Sequence, residues 1–150
     1  MTGSNTDVLV FAATNMPWKV DPAFRRPGRF DRVLLVTPPD RTAREAILER
    51  HVRKLPGGKS IDVRRVAEAT SLFSGADLRA LAERAAESAL ERSLDSGDVH
   101  QVGPADFELA LKGAQCSTQE WLSTARNYAR YANEGQYDDL VAFLKKAKKW

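Results

Sequence analysis

Residues 13–32 read Ala13-Thr14-Asn15-Met16-Pro17-Trp18-Lys19-Val20-Asp21-Pro22-Ala23-Phe24-Arg25-Arg26-Pro27-Gly28-Arg29-Phe30-Asp31-Arg32. The apolar run Val8 to Ala13 leads into this stretch and is bounded by polar residues. A short continuous apolar run of that kind is how a strand buried on both faces of a parallel sheet reads. Asn15 then falls just past the strand's C-terminal end, where polar side chains of an open α/β sheet face the ligand crevice. An amide there can orient a water or a phosphate oxygen. Arg25, Arg26 and Arg29 gather around Pro27-Gly28. Arginine carries a permanent charge and a fork that matches phosphate oxygens, so such a cluster can neutralise charge on a transferring phosphoryl group. Local sequence leaves bland alternatives open. Asn15 can simply cap a turn, and the arginines can form a solvated basic face or a nucleic-acid patch.

Working outward, Asp21-Pro22-Ala23-Phe24 predicts a short helix with Asp21 as N-cap and Pro22 in the first position. Phe30 is expected to anchor the following turn in the core, and Gly28 to let the backbone turn tightly. Arg32 to Val36 reads as a second strand, stopped by Pro38-Pro39, which marks a hinge. Beyond the hinge the apolar period changes from that of a strand to that of a helix. Helices are predicted over Thr42 to Lys54, with Thr42 and Glu45 as a capping box, and over Asp62 to Ala69. A long helix is predicted from Gly75 to about Leu94, and another over Pro104 to Lys112. The next starts at a second capping box, Ser117-Thr118-Gln119-Glu120, and ends at Gly135; the last runs Asp138 to Lys148. Met1 to Asp7 reads as a loop.

Composition narrows the classes. The 150 residues hold 43% hydrophobic and 29% charged residues, enough for a core in an ordinary globular chain. The net charge of +3 is mild, and most lysines and arginines alternate with Glu and Asp on helix faces, which counts against a nucleic-acid binder. A lone Cys116 cannot close an internal disulfide and fits a reducing compartment, so the expected location is cytoplasmic. No apolar run reaches the ~18 residues of a membrane span. His51, His100 and Cys116 have no metal-ligand spacing, so no metal site is expected from this chain. The basic end Lys145-Lys146-Ala147-Lys148-Lys149 reads as a solvated helix terminus.

The run from Ala13 to Arg32 resembles the second region of homology of AAA ATPases, the ring-forming ATP-driven remodelling machines. Asn15-Met16-Pro17-Trp18 is similar to the microtubule-severing and membrane-remodelling branch, and Arg26-Pro27-Gly28-Arg29-Phe30-Asp31 to the segregase, proteasomal and FtsH-type branches. Ile47-Leu48-Glu49-Arg50-His51 resembles the family's first lid helix, and Gly75-Ala76-Asp77 the start of its sensor-2 helix. The resemblance covers Thr6 to about Gly113. It implies an α/β remnant followed by helices: the C-terminal piece of a P-loop AAA domain in residues 1–39, a helical lid in 40–113 and a helical extension in 114–150. It implies that Asn15 is sensor 1, and that Arg26 and Arg29 are arginine fingers reaching a neighbouring subunit's nucleotide. It also implies that His51, Gly75 and Ala76 lie against the nucleotide. By themselves, His51 is as readily a partly buried polar side chain and Arg79 has no assigned role.

The family's phosphate loop, G-x-x-x-x-G-K-[ST], does not occur in the chain. In the family, the strand that opens the domain lies between the fourth and fifth strands. The two strands read here correspond to the fourth and fifth, so each is expected to lack hydrogen-bond partners. Met1 resembles an internal Met of a longer protein. The implied function is ATP hydrolysis coupled to remodelling of a protein substrate by an intact hexameric ring of AAA subunits, with ATP and Mg²⁺ bound through the other half and the isolated chain inactive. The alternative reading is a non-catalytic helical interaction module that joins or regulates a full-length ring.

Overall fold

A computed structural model describes residues 8–150; the loop expected over residues 1–7 lies outside the described residues. Six α-helices follow one another: α1 Arg41–Val52, α2 Val63–Ala69, α3 Gly75–Ser96, α4 Pro104–Lys112, α5 Thr118–Tyr131 and α6 Asp138–Lys146. Single 3₁₀ turns span Pro17–Lys19, Pro22–Arg25 and Gly58–Ser60.

The spine is α3. Its first turn is closed reciprocally: the Asp77 N–H donates to the Ser74 hydroxyl at 3.1 Å, and the Ser74 N–H donates to the Asp77 carboxylate at 2.8 Å. Leu78 and Leu81 are buried along one face, and Ala82, Ala85 and Ala89 keep that face narrow. The small side chains let α4 lie close, so that Phe107 is 1% exposed. Each large apolar side chain buried so completely contributes roughly 1.5–3 kcal/mol. The helix stops at Gly97, whose left-handed φ of 76° suits glycine. Leu48 and Val52 of α1 and Val66 of α2 complete this first core. Gly58 is required by contact rather than by φ: a Cβ there would meet the Val52 carbonyl oxygen at 2.0 Å, so the α1–α2 loop closes only over glycine.

A second core joins α5 and α6 through Leu122, Ala125, Ala129, Tyr137, Leu140 and Leu144. Trp18, Leu35 and Leu72 pack against it from earlier in the chain.

Several local expectations are corrected. The cap of α1 is Asp40, which accepts from the Ala43 N–H at 2.8 Å, and Glu45 pairs instead with Arg41 at 3.0 Å; Thr42 lies inside the helix. Ser117 makes no cap bond to α5, because it sits in helical geometry and turns its hydroxyl to Asp77. Helix α5 ends at Tyr131, before Gly135, and α6 ends at Lys146 rather than Lys148. Residues 8–13 and 32–36, expected as strands, form no ladder among the described residues and are largely exposed, Phe11 at 82% and Leu34 at 86%. An extended segment without a neighbour on either side has nothing to satisfy its N–H and C=O groups except solvent.

Asp106 is the buried acid of the first core. Its carboxylate accepts from Arg92 at 2.7 Å, Ser88 at 2.9 Å and the Gly103 N–H at 2.9 Å, and its side chain is 3% exposed. Burial pushes the carboxyl up, but the bonds from Gly103, Ser88 and Arg92, with the Arg92 charge, more than offset it and hold it below the usual carboxylate range. Since the folded value lies below the unfolded one, its stabilisation is complete above about pH 4 and is lost as pH falls through the folded value. Asp106→Asn is expected to cost about 2 kcal/mol at neutral pH. It is also expected to flatten the loss of stability below about pH 4. Acid titrations at several urea concentrations, read by circular dichroism, check this. Equal pH slopes in the two proteins would show that another group titrates.

Candidate functional site

The segment before α1 reaches its place through turns and aromatic contacts. The Thr14 hydroxyl accepts from the Met16 N–H at 3.0 Å, which bends the chain at Asn15. The Asn15 carbonyl accepts the Trp121 indole N–H, and its amide side chain lies in an exposed residue. Trp121 and Tyr128 are two helical turns apart on one face of α5. Trp18 lies over both, stacked on Tyr128 at 4.5 Å and 7° and tilted against Trp121 at 6.2 Å.

The arginine turn is built by short-range bonds. Asp21 accepts from the Ala23 N–H at 2.8 Å and opens the Pro22–Arg25 turn. The Arg29 N–H donates to the Arg26 carbonyl at 3.2 Å, and the Phe30 N–H donates to the Phe24 carbonyl at 3.0 Å. Gly28 between them has φ 81°, a conformation an L side chain would strain. Arg29 folds back, its guanidinium donating to the Ala23 carbonyl at 2.9 Å. Arg26 is exposed, and its side chain makes no hydrogen bond or ion pair among the described residues. Arg25 donates to the Gln136 side chain and ties the turn to the α5–α6 connection. Phe30, expected to anchor the turn in the core, is only half-buried and belongs to neither core. The turn is held by Arg25 and Trp18 instead.

The lid residues lie on separate helices. His51 is half-buried in the last turn of α1, where its carbonyl accepts from the Lys54 N–H at 3.1 Å. Gly75 and Ala76 form the exposed first turn of α3. A Cβ placed on Gly75 would meet nothing within 4 Å, so the chain's own packing does not require glycine and the space above it is free for a ligand. Asp77 beside them accepts from Ser74 and also from Ser117, whose hydroxyl donates at 2.9 Å and N–H at 3.3 Å. Burial pushes the Asp77 carboxyl up; the bonds from Ser74 and Ser117 together outweigh it and hold the group low, as an anion in the first helical turn.

Asn15 and the Gly75-Ala76 turn are thus linked through α5, while His51 makes no hydrogen bond to either among the described residues. Two surface cavities, about 220 and 430 Å³, are lined from Arg84 to Gly113 and around Arg53, Lys59 and Gln101, and none of the expected site residues lines them. Asn15, Arg26, Gly75 and Ala76 are exposed. Among the described residues no group of three or more His, Cys, Asp or Glu converges. No described helix is long and apolar enough to cross a membrane. Sequence reasoning placed Arg25 in the arginine cluster and Ser117 at a cap, and missed their bonds to Gln136 and Asp77 and the bond from Trp121 to Asn15. The visible signal was the seven-residue spacing of Trp121 and Tyr128, which marks one helix face without naming what covers it.

Residues 1–38 match the family model described as ATPase family associated with various cellular activities (AAA), and residues 60–108 match the AAA+ lid domain. The chain is 37% identical over 156 residues to the cell division cycle protein 48 homolog of Archaeoglobus fulgidus, covering 96% of this chain and 21% of that protein. It is 46% identical over 140 residues to the cell division control protein 48 homolog B of Arabidopsis thaliana, covering 93% and 23%. It is 52% identical over 138 residues to the chloroplastic ATP-dependent zinc metalloprotease FTSH of Helianthus annuus, covering 88% and 53%. Among solved structures, one described as the structural basis for katanin self-assembly superposes with a TM-score of 0.62 at 30% identity, over 72% of this chain and 44% of that one. The chain therefore spans between about a fifth and a half of the length of these curated relatives.

Proposed function

We propose that this chain, which carries the C-terminal portion of an AAA ATPase domain with its helical lid, supplies sensor 1, the lid contacts and the arginine fingers of an ATP-hydrolysing ring that remodels protein substrates. The observation that carries the reading is the arginine turn: Arg29 braces it from within, and Arg26 stands outside it with an uncommitted guanidinium. A permanently charged fork held on a rigid turn and left without an internal partner suits phosphate oxygens of a neighbouring subunit. Asn15 holds its amide at the exposed end of its segment, where it orients the attacking water. Gly75 and Ala76 leave room for the base or ribose, with His51 on the neighbouring lid helix. ATP supplies the transferable phosphoryl group; the phosphate loop and Mg²⁺ ligands come from outside the described residues. The three parts are residues 1–39 of the α/β subdomain, a lid over 40–113 and an extension over 114–150, working in the cytoplasm.

The purified chain alone is expected to show no ATP turnover above background. Joined behind the phosphate-binding half of an AAA module, it is expected to turn over ATP and to lose that turnover in Asn15→Ala. A restored module with full turnover in Asn15→Ala would remove sensor 1 from the reading. The exposed apolar residues of 8–11, with Val33, Leu34 and Val36, favour a second reading, an interaction module that adds to the sheet of an intact ring. In that case the chain changes the turnover of an intact AAA ring when mixed with it, and no chimera gains activity.

A further inference from the structure

The first turn of α5 touches both elements that the proposed site needs. Ser117, at the head of α5, gives its hydroxyl and N–H to the Asp77 carboxylate, directly beside Gly75 and Ala76. Trp121, one helical turn along, gives its indole N–H to the Asn15 carbonyl. Side chains four residues apart project from the same helix face. One rigid turn therefore has one donor on the sensor-1 segment and another on the lid helix.

Neither contact is an ordinary surface pairing. Asp77 already closes the α3 capping box, so Ser117 bonds to the group that fixes where α3 begins. Trp121 is backed by Trp18, which lies against it and stacks on Tyr128, so a shift of the indole bears on the segment at Asn15 and at Trp18. Arg25 to Gln136 pins the same segment to the α5–α6 connection. Among the described residues, no hydrogen bond runs directly between residues 13–17 and residues 73–78.

We infer that Ser117 and Trp121 are positioning residues: the start of α5 sets the separation between Asn15 and the Gly75-Ala76 turn, and carries a displacement at one to the other. This deepens the proposed function, on whose reading of Asn15 and Gly75 its consequence for ATP rests. The extension is then a coupling element, through which a lid movement of α3 pulls on sensor 1. A contiguous chain of packed side chains and hydrogen bonds can carry a coupling of this kind.

The test is made on the whole chain without nucleotide, by ¹H–¹⁵N spectra of wild type, Trp121→Phe, Ser117→Ala and Ser117→Thr. Trp121→Phe removes the donor and keeps an aromatic ring. It is expected to shift the amide resonances of Gly75, Ala76 and Leu78, across the helix from the substitution. Ser117→Ala is expected to shift those of Asn15 and Met16 and to speed exchange of the Trp121 indole proton by roughly fivefold, the scale of coupling between residues that share one network. Ser117→Thr keeps the hydroxyl and is expected to restore the wild-type positions. Phe107 and Ala110, on α4 and not bonded to either donor, serve as controls that should not move. Shifts confined to the mutated end, or equal shifts at Phe107, overturn the inference. No ATP is present, so inactivity of the restored module in the turnover assay leaves this result standing, and lost coupling leaves that assay unaffected.

Discussion

Arg26→Ala, in a ring restored by joining the chain to a phosphate-binding half, is expected to lower ATP turnover by roughly 10³-fold or more, the effect of removing an arginine finger in related phosphoryl-transfer systems. Nucleotide affinity is expected to stay within a small factor of wild type. The asymmetry follows from where charge builds up. The γ-phosphoryl oxygens gain negative charge only as the bond to the leaving group loosens, so a guanidinium aimed there stabilises the transition state more than the bound ground state. The structure makes Arg26 the cleaner of the two fingers to test. Its side chain holds nothing together in the chain itself, so its loss should leave the melting temperature unchanged. Arg29 also donates to the Ala23 carbonyl. Arg29→Ala therefore mixes a catalytic loss with a looser turn, and is expected to lower stability slightly. Mixed rings separate trans from cis action. Arg26→Ala subunits doped into a ring carrying Asn15→Ala should recover partial turnover at interfaces where an intact Asn15 meets an intact Arg26. Equal losses in affinity and turnover would instead give Arg26 a binding role in its own subunit.

The helices were legible because punctuation and periodicity agreed. Pro104 and Gly113 bracket α4, and the Ser74–Asp77 pair marks the start of α3 in letters and in bonds. The cap of α1 was less legible, since Asp40 and Thr42 are both good caps two residues apart. The choice falls to Asp40 because its carboxylate reaches the Ala43 N–H while Glu45 is taken by Arg41. Ser117 shows tertiary structure overriding a local pattern: Ser-Thr-Gln-Glu is a sound capping box, but the half-buried Asp77 carboxylate across the joint competes better for the hydroxyl. Apolar runs report a need for burial and say nothing about whether a partner is present, so residues 8–13 and 32–36 read as strands and form no ladder. The residue types of the site could be quoted from the sequence. Its assembly could not, because the contact from Trp121 to Asn15 spans 106 positions and no periodicity encodes it.

Arg44 is the residue whose loss is expected to damage the lid most. The sequence placed it on a helix of alternating charges, yet it is 8% exposed and has no carboxylate within ion-pair distance among the described residues. Its guanidinium donates twice to the Ala67 carbonyl, at 3.2 and 3.0 Å, and once to the Pro39 carbonyl at 2.9 Å. Burial pushes its proton affinity down and the Asp40 charge pushes it up, but an arginine keeps its charge through any physiological pH. The cation therefore rests on the Ala67 carbonyl near the C-terminus of α2, where the helix dipole favours it, and on the hinge before α1. Arg44→Ala removes three charge-assisted bonds, leaves the Ala67 carbonyl with the Thr70 hydroxyl and the Pro39 carbonyl without its arginine, and opens a void between α1 and α2. The expected cost is about 3 kcal/mol, with a drop of about 10 °C in melting temperature. Arg44→Met fills much of the volume but does not replace the bonds to the carbonyls, so it should recover only part of the loss. Arg44→Lys keeps the charge without the fork and should fall between Met and wild type. Three residues earlier, Arg41 pairs with Glu45 and Glu68 in full solvent, and Arg41→Ala should hardly move the melting temperature. The comparison decides between two meanings of arginine in this helix. If both alanine variants melt together, the carbonyl-bound cation is no more than another solvated charge. If Arg44→Ala alone collapses, the lid is held to the hinge by one buried guanidinium, and the arginine turn upstream inherits its position from that anchor.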